Sequence, residues 1–264
     1  MAARARRALA AVNWLGIGVI VAVLGAWQLL VSAGAIHYHS LPGPLGIWDG
    51  LRDLVRIGTL WPALRHTLLA VAQAWGLAVG VGGVAGLLLG SNRTVASWTN
   101  ATVDVFRSLP VVAFIPIAIL IWGPATKAEV LVAAYAAVWP MLVNTAGGVR
   151  GVAPRLHDVA RSLRLSRTAT AVKIVMPATG AAMMVGARLA LGTALVVCVV
   201  AEMIGVPLGI GYNLVLEQSA DQPARMWAYV LIVGVLGILV NAVLVRAMRC
   251  AFPGVSALAT RAGR

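Results

Sequence analysis

Apolar residues in this chain gather into six blocks: Trp14–Ser32, Leu68–Leu89, Val103–Trp122, Glu129–Ala146, Thr179–Ile204 and Met226–Val245. A helix of about 20 residues crosses a hydrocarbon core about 30 Å thick. The pattern therefore predicts an all-α polytopic membrane protein of about six transmembrane helices. Pro110, Pro116, Pro124 and Pro140 interrupt the third and fourth blocks, and Asp104 and Glu129 sit at their edges, so the count runs from four to six. The first block follows Arg4, Arg6 and Arg7 and precedes small residues, as a signal peptide would. Its run of about 19 apolar residues exceeds the roughly 7 to 15 of a signal core and reads as a retained anchor.

Between the blocks the period changes. After Leu41-Pro42-Gly43-Pro44, the segment GIWDGLRDLVRIGTLW places Ile47, Leu51, Leu54 and Val55 on one helical face. Asp49, Arg52, Asp53 and Arg56 take the other, with Trp48 and Trp61 as headgroup-level anchors. This predicts a helix lying on the outer leaflet. Within the second block, glycines four apart (Gly76/Gly80 and Gly82/Gly86/Gly90) allow close helix–helix approach, read here as packing within the subunit.

A polar stretch, residues 147–178, separates the fourth and fifth blocks. Pro154 suits a first helical position, and Leu156, Val159, Ala160 and Leu163 then fall at i, i+3, i+4 and i+7, with Arg155, Asp158 and Arg161 off that stripe. Ser166 can cap a second helix that runs through Lys173 toward Pro177, where the chain re-enters the membrane. A helix of about ten residues is too short to stand alone in water and must be held by packing. A groove on another protein and the bilayer surface both fit.

Composition agrees with the class: 61% hydrophobic against 11% charged residues leaves too little polar surface for a soluble globule. The net charge of +13 is distributed by topology. Fifteen basic residues, counting Arg107 near the inner edge of the third block, fall on the side that six spans put inside and five on the side put outside, with Arg188 within a span. That asymmetry places both termini and the 147–178 loop in the cytoplasm. The charge carries no nucleic-acid motif, so no nucleic-acid partner is expected. The domain reading is a cytoplasmic segment 1–13, a membrane domain 14–245 and a cytoplasmic tail 246–264.

Enzyme chemistry finds no support. Lys127 and Lys173 are the only lysines, and neither follows a glycine turn as a phosphate-binding loop requires. No zinc-spaced Cys/His cluster, G-x-S-x-G elbow or H-E-x-x-H is present. His37-Tyr38-His39 lacks a third ligand, so no metal is assigned. Cys198 and Cys250 read as packing residues.

Arg188 and Glu202 are the charges at depth in the fifth block. Fourteen residues apart, they share a helical face about 21 Å from end to end and cannot pair. Intramembrane charge is costly and by default functional. The face is assigned to the translocation path or a subunit interface, with Arg188 meeting an anionic substrate or another helix. The alternative has Arg188 snorkelling or on backbone carbonyls and Glu202 capping an outer turn.

Asp158 to Pro177 resembles the E-A-A-x-x-x-G-x9-I-x-L-P signature of permease subunits of ATP-binding-cassette (ABC) importers. Ala160, Ile174 and Pro177 match, whereas Asp158, Val159, Arg164 and Met176 depart from it. GARLALGTALVVCVVAEMIGVPLGIGYNL, LPGP and FRSLPVVAFIPIAILIWG resemble the branch serving nitrate, sulfonate and taurine. The resemblance covers most of the chain from Leu41 onward. It implies a type I importer permease with a cytoplasmic coupling helix, in which Leu156, Asp158, Val159, Ala160, Arg161, Leu163 and Arg164 meet the ATPase. It further implies an ABC ATPase dimer, a second permease copy in a homodimer, an extracytoplasmic solute-binding protein, and a small anionic solute. ATP and Mg would sit on the partner subunits, this chain binding no cofactor, in a bacterial inner membrane. An ion-coupled secondary transporter is the rival, though the two halves show no repeat of the kind it would need. At Arg164 the signature has glycine, whose left-handed turn costs another residue about 1 kcal/mol. Either the turn shifts to Ser166 or Arg164 changes the docking, for instance by pairing with an ATPase carboxylate.

Overall fold

The structure is a computed structural model that describes residues 14–35, 38 and 40–251. Among these there is no strand. The helices are α1 (Trp14–Ser32), α2 (Pro44–Ile57), α3 (Leu60–Ser91), α4 (Arg93–Ser108), α5 (Phe114–Trp122), α6 (Thr126–Arg150), α7 (Pro154–Ser162), α8 (Arg167–Thr170), α9 (Met176–Ile204), α10 (Gly209–Ser219) and α11 (Pro223–Ala251). A 3-10 turn, Val111–Ala113, precedes α5, and a π-helical turn, Ala171–Val175, joins α8 to α9. His37 and His39 lie outside the described residues.

The chain divides into two compact units, one of residues up to Thr59 with Leu214–Leu231, the other of Leu60–Asn213 with residues from Ile232 onward. In the first, Gln28 of α1 accepts a hydrogen bond from the Leu45 amide at 3.1 Å, fixing the start of α2, and Pro44 stands at its first turn. The buried face of α2 is Ile47, Gly50 and Leu54, and a side chain at Gly50 would run into the Ala224 backbone. Arg225 lies 4.0 Å from Asp53 and 3.7 Å from Glu217, and Trp227 donates to the Ser40 carbonyl at 2.8 Å. The amphipathic helix expected on the outer leaflet is therefore real, but its inner stripe is covered by this chain's own residues. Val55 stays exposed, as do Trp48 and Trp61.

The second unit is built on α3, α6 and α9. A Cβ on Gly82 would meet Met141 Cβ at 3.0 Å, one on Gly86 would meet Thr145 Cβ at 2.6 Å, and one on Gly90 would meet Val149 Cβ at 2.5 Å. The matched residues ascend together, so α3 and α6 are parallel and touch through glycine. This is the intrasubunit packing expected of Gly82, Gly86 and Gly90; Gly76 and Gly80 face open space instead. On α9, Gly186 rests against Met141 and Asn144, while Ala182 and Thr179 face Gly148. The order is reversed, so α9 runs antiparallel. Ala70, Ala74, Ala133, Ala137, Ala190 and Ala194 are fully buried, giving a core of small side chains in which dispersion at short range replaces the hydrophobic force that lipid cannot supply.

Parallel α3 and α6 demand that the chain between them return across the bundle. Residues 92–125 make that return as a broken span, bent by 66° between Ser108 and Val111. Pro110 supplies the break. Phe106 stacks with Trp139 at 6.4 Å between centroids, and Tyr135 donates to the Phe106 carbonyl at 2.9 Å, which hold the bent pair on α6. The third block is thus a crossing made of two helices rather than one. Among the described residues, five helices are long and apolar enough to span, six with this pair. Pro140 lies inside α6 without ending it. The fifth span begins before Pro177, since the helical path is continuous from Arg167 and the π turn sits where Pro177 has no N–H to close the α ladder.

Candidate functional site

At one end of the second unit the chain leaves α6, forms α7 and returns through α8. Val149, Val152 and Val175 are buried together with Leu87 against them, so both feet of this loop are tied to the bundle. Pro154 opens α7 as expected, and Ser166 Oγ accepts the Ala169 amide at 3.2 Å, capping α8. Of the apolar stripe on α7, only Ala160 is buried, at 4% exposure. Leu156, Val159 and Leu163 are 38%, 49% and 63% exposed. Asp158 and Arg161 form a solvent-side pair at 3.8 Å.

Arg164 ends α7 in the left-handed conformation, φ 49°. The turn does not move to Ser166. Leu165 N donates to Ala160 O at 3.0 Å and Arg164 N to Arg161 O at 2.9 Å, the two bonds of a Schellman cap with arginine where glycine is usual. The cap satisfies two of the last carbonyls of α7, which offsets the strain at Arg164.

Arg188 and Glu202 do not share a surface. Arg188 is exposed, donating from Nε to Asn241 Oδ1 at 2.8 Å. It lies on a groove of about 520 Å³ whose walls include Gly192, Thr193, Val196 and Val240. Among the described residues it has no carboxylate partner. Glu202, by contrast, is fully buried. Thr67 Oγ1 donates to its Oε1 at 2.6 Å and the Gly211 amide to its Oε2 at 2.7 Å, while the Ile210 amide donates to Thr67 at 3.0 Å. Two otherwise orphaned N–H groups at the start of α10 are thereby satisfied. Of the two readings open for Glu202, this geometry matches the cap: it holds an inter-helix turn inside the subunit. Gly209, at φ 90°, is required there, because a Cβ would fall on the Glu202 carboxylate.

Beside this cap lies a pair that sequence reading missed. His66 Nε2 and Glu129 Oε2 are 3.1 Å apart, with Glu129 1% exposed. Glu129 was visible at the edge of an apolar block, and an acid there was the signal available; nothing local connected it to His66, 63 residues away.

Residues 62–256 match the family of binding-protein-dependent transport system inner membrane components. The chain belongs to this family. The permease is 28% identical over 226 residues, covering 85% of its length and 82% of the relative's, to the SsuC permease protein of Bacillus subtilis (strain 168), assigned to aliphatic sulfonates transport. It is 29% identical to the bicarbonate transport system permease protein CmpB of Synechococcus elongatus, covering 84% and 83% of the two chains. In fold it is similar to a chain of the inward-facing MetNI methionine ABC transporter, at a TM-score of 0.66, 17% identity, and coverage of 74% and 97%.

The protein is thus a multi-pass inner-membrane permease subunit of an ATP-driven, binding-protein-dependent importer, a transport component that works with an ATPase and a substrate-binding protein. Family membership sets aside the ion-coupled secondary transporter. The match takes in the α7 loop, the Arg188 groove and the Glu202 cap alike.

Proposed function

We propose that α7 is the coupling helix through which ATPase closure drives this permease, and that the solute carried is a small anion. The observation that carries the first part is the exposed stripe Leu156, Val159 and Leu163 on a helix whose two feet are buried. A helix of nine residues cannot hold itself in water. A cleft on the ATPase would cover the stripe, with Asp158, Ala160, Arg161 and Arg164 completing the contact. Motion of the ATPase would then reach α6 and α9 through Val149, Val152 and Val175 as a rigid displacement.

Two permease copies, each offering one loop to one of two ATPase subunits, form the working assembly, a homodimer. ATP and Mg reside on the ATPase. An extracytoplasmic binding protein delivers the solute, both termini face the cytoplasm, and the membrane domain runs over 14–245 between a cytoplasmic segment 1–13 and a tail 246–264. For the solute, the support is Arg188 at an apolar-walled groove, without a carboxylate partner among the described residues, and relatives named for sulfonate and bicarbonate. A cation held at membrane depth by an amide oxygen retains guanidinium donors for an anion.

The test of the substrate class is uptake by proteoliposomes containing the whole transporter. Arg188→Gln should lower uptake of an anionic solute at least tenfold while Arg188→Lys keeps part of it. Equal uptake by wild type and Arg188→Gln would end the assignment of Arg188 to the path.

A further inference from the structure

The His66–Glu129 pair and the Glu202 cap converge on one point. His66 Nε2 and a carboxylate oxygen from each of Glu129 and Glu202 lie within 4.8 Å of one another, contributed by α3, α6 and α9. Both carboxylates are fully buried, and Glu129 Oε1 has no hydrogen-bond partner among the described residues. Cys198, one turn before Glu202 on α9, is also wholly buried. No Lys or Arg among the described residues is within ion-pair distance of either acid. Two buried carboxylates facing one imidazole are a poor arrangement without more positive charge, since buried charge is paired or coordinates a metal.

We propose that His66, Glu129 and Glu202 form a divalent-cation site, with zinc the ion their donors suit best, joining α3, α6 and α9 at the end of the bundle away from the α7 loop. One imidazole with carboxylates is a zinc donor set, and zinc bonds of about 2.0–2.2 Å place ligands about 3.3 Å apart in a tetrahedron. His66 and Glu129, at 3.1 Å, already have that spacing. Glu202 has at most about 1.5 Å to close. Its carboxylate is oriented by Thr67 and the Gly211 amide, as outer partners orient metal ligands. The site lies apart from the coupling loop, so its failure and that of the proposed coupling are separable.

The experiment uses the complete transporter, purified in mild detergent through a tag without histidine, stripped with a chelator and dialysed against zinc. Elemental analysis should find one zinc per permease chain, with a higher unfolding temperature than in the stripped protein. Glu129→Gln and His66→Gln should abolish both, and Thr67→Val should weaken zinc binding about 10- to 100-fold. Zinc K-edge absorption on the wild type, which needs no variant to fold, should show nitrogen and oxygen neighbours at about 2.0–2.1 Å. No stoichiometric zinc in the wild type overturns the proposal, as does zinc retained unchanged by both ligand variants. A metal-free wild type with a more stable Glu129→Gln variant would mean that protons hold the charge, and overturns it too.

Discussion

Arg164→Gly tests the reading of the coupling loop at its most unusual residue. Arginine holds φ 49°, a region where a Cβ crowds the following carbonyl and costs about 1–2 kcal/mol per residue. Glycine removes that crowding but gives up about 0.4–1 kcal/mol through its freer unfolded chain. The net gain is about 0.5–1 kcal/mol, or roughly a two- to fivefold smaller opening constant for the cap. The bonds to watch are Leu165 N to Ala160 O and Arg164 N to Arg161 O, at 3.0 and 2.9 Å. Amide hydrogen exchange at Leu165 and at residue 164 should slow about two- to fivefold in the glycine variant. Arg164→Ala keeps the Cβ and should show no such slowing. Exchange that is unchanged or faster in Arg164→Gly would refute the claim that the turn is strained, and would place the stabilising contribution in the arginine side chain.

Three further outcomes follow from packing. Gly86→Val should destabilise the permease by about 1–3 kcal/mol, because its Cβ meets Thr145 Cβ at 2.6 Å and the Leu142 carbonyl at 2.7 Å, whereas Gly80→Ala, in open space, should not; thermal unfolding in detergent separates them. Thr67→Val removes the hydroxyl that both donates to Glu202 and accepts from Ile210, and should cost about 1–3 kcal/mol by the same measurement. Gly209→Ala combines a φ of 90° with a Cβ on the Glu202 carboxylate, so it should cost at least as much as Thr67→Val, and a neutral result would contradict the cap.

The spans were legible because a hydrocarbon core dictates run length, and Pro154, Ser166 and the stripe through Leu163 were legible because capping and helical period act locally. What packing decides was not. Six alternating blocks already implied that α3 and α6 run parallel, but not that they touch through glycine or that the return between them is bent by 66°. Ile47 and Leu54 showed an apolar face, but not that Ala224 and Arg225 would lie beside it. Helical spacing put Glu202 on one face with Arg188. Their neighbours separated them, since Thr67 and Gly211 reach Glu202 from elements far away in sequence while Asn241 takes Arg188. At Arg164 the motif marked the position as unusual, and only the cap's hydrogen bonds showed that the turn stayed in place.

The central claim is that the exposed stripe of α7 is the surface the ATPase holds. About half of each of Leu156, Val159 and Leu163 remains to be covered, and full burial of such a side chain contributes about 1.5–3 kcal/mol. Covering the three exposed portions therefore contributes about 3 kcal/mol, or about a hundredfold in affinity. The direct measurement is the affinity of the purified permease for its ATPase, wild type against a variant with Leu156, Val159 and Leu163 all changed to Asp, with thermal unfolding of the isolated permease as control. Binding at least a hundredfold weaker with unfolding unchanged is the predicted result; equal affinity in a folded variant would contradict it.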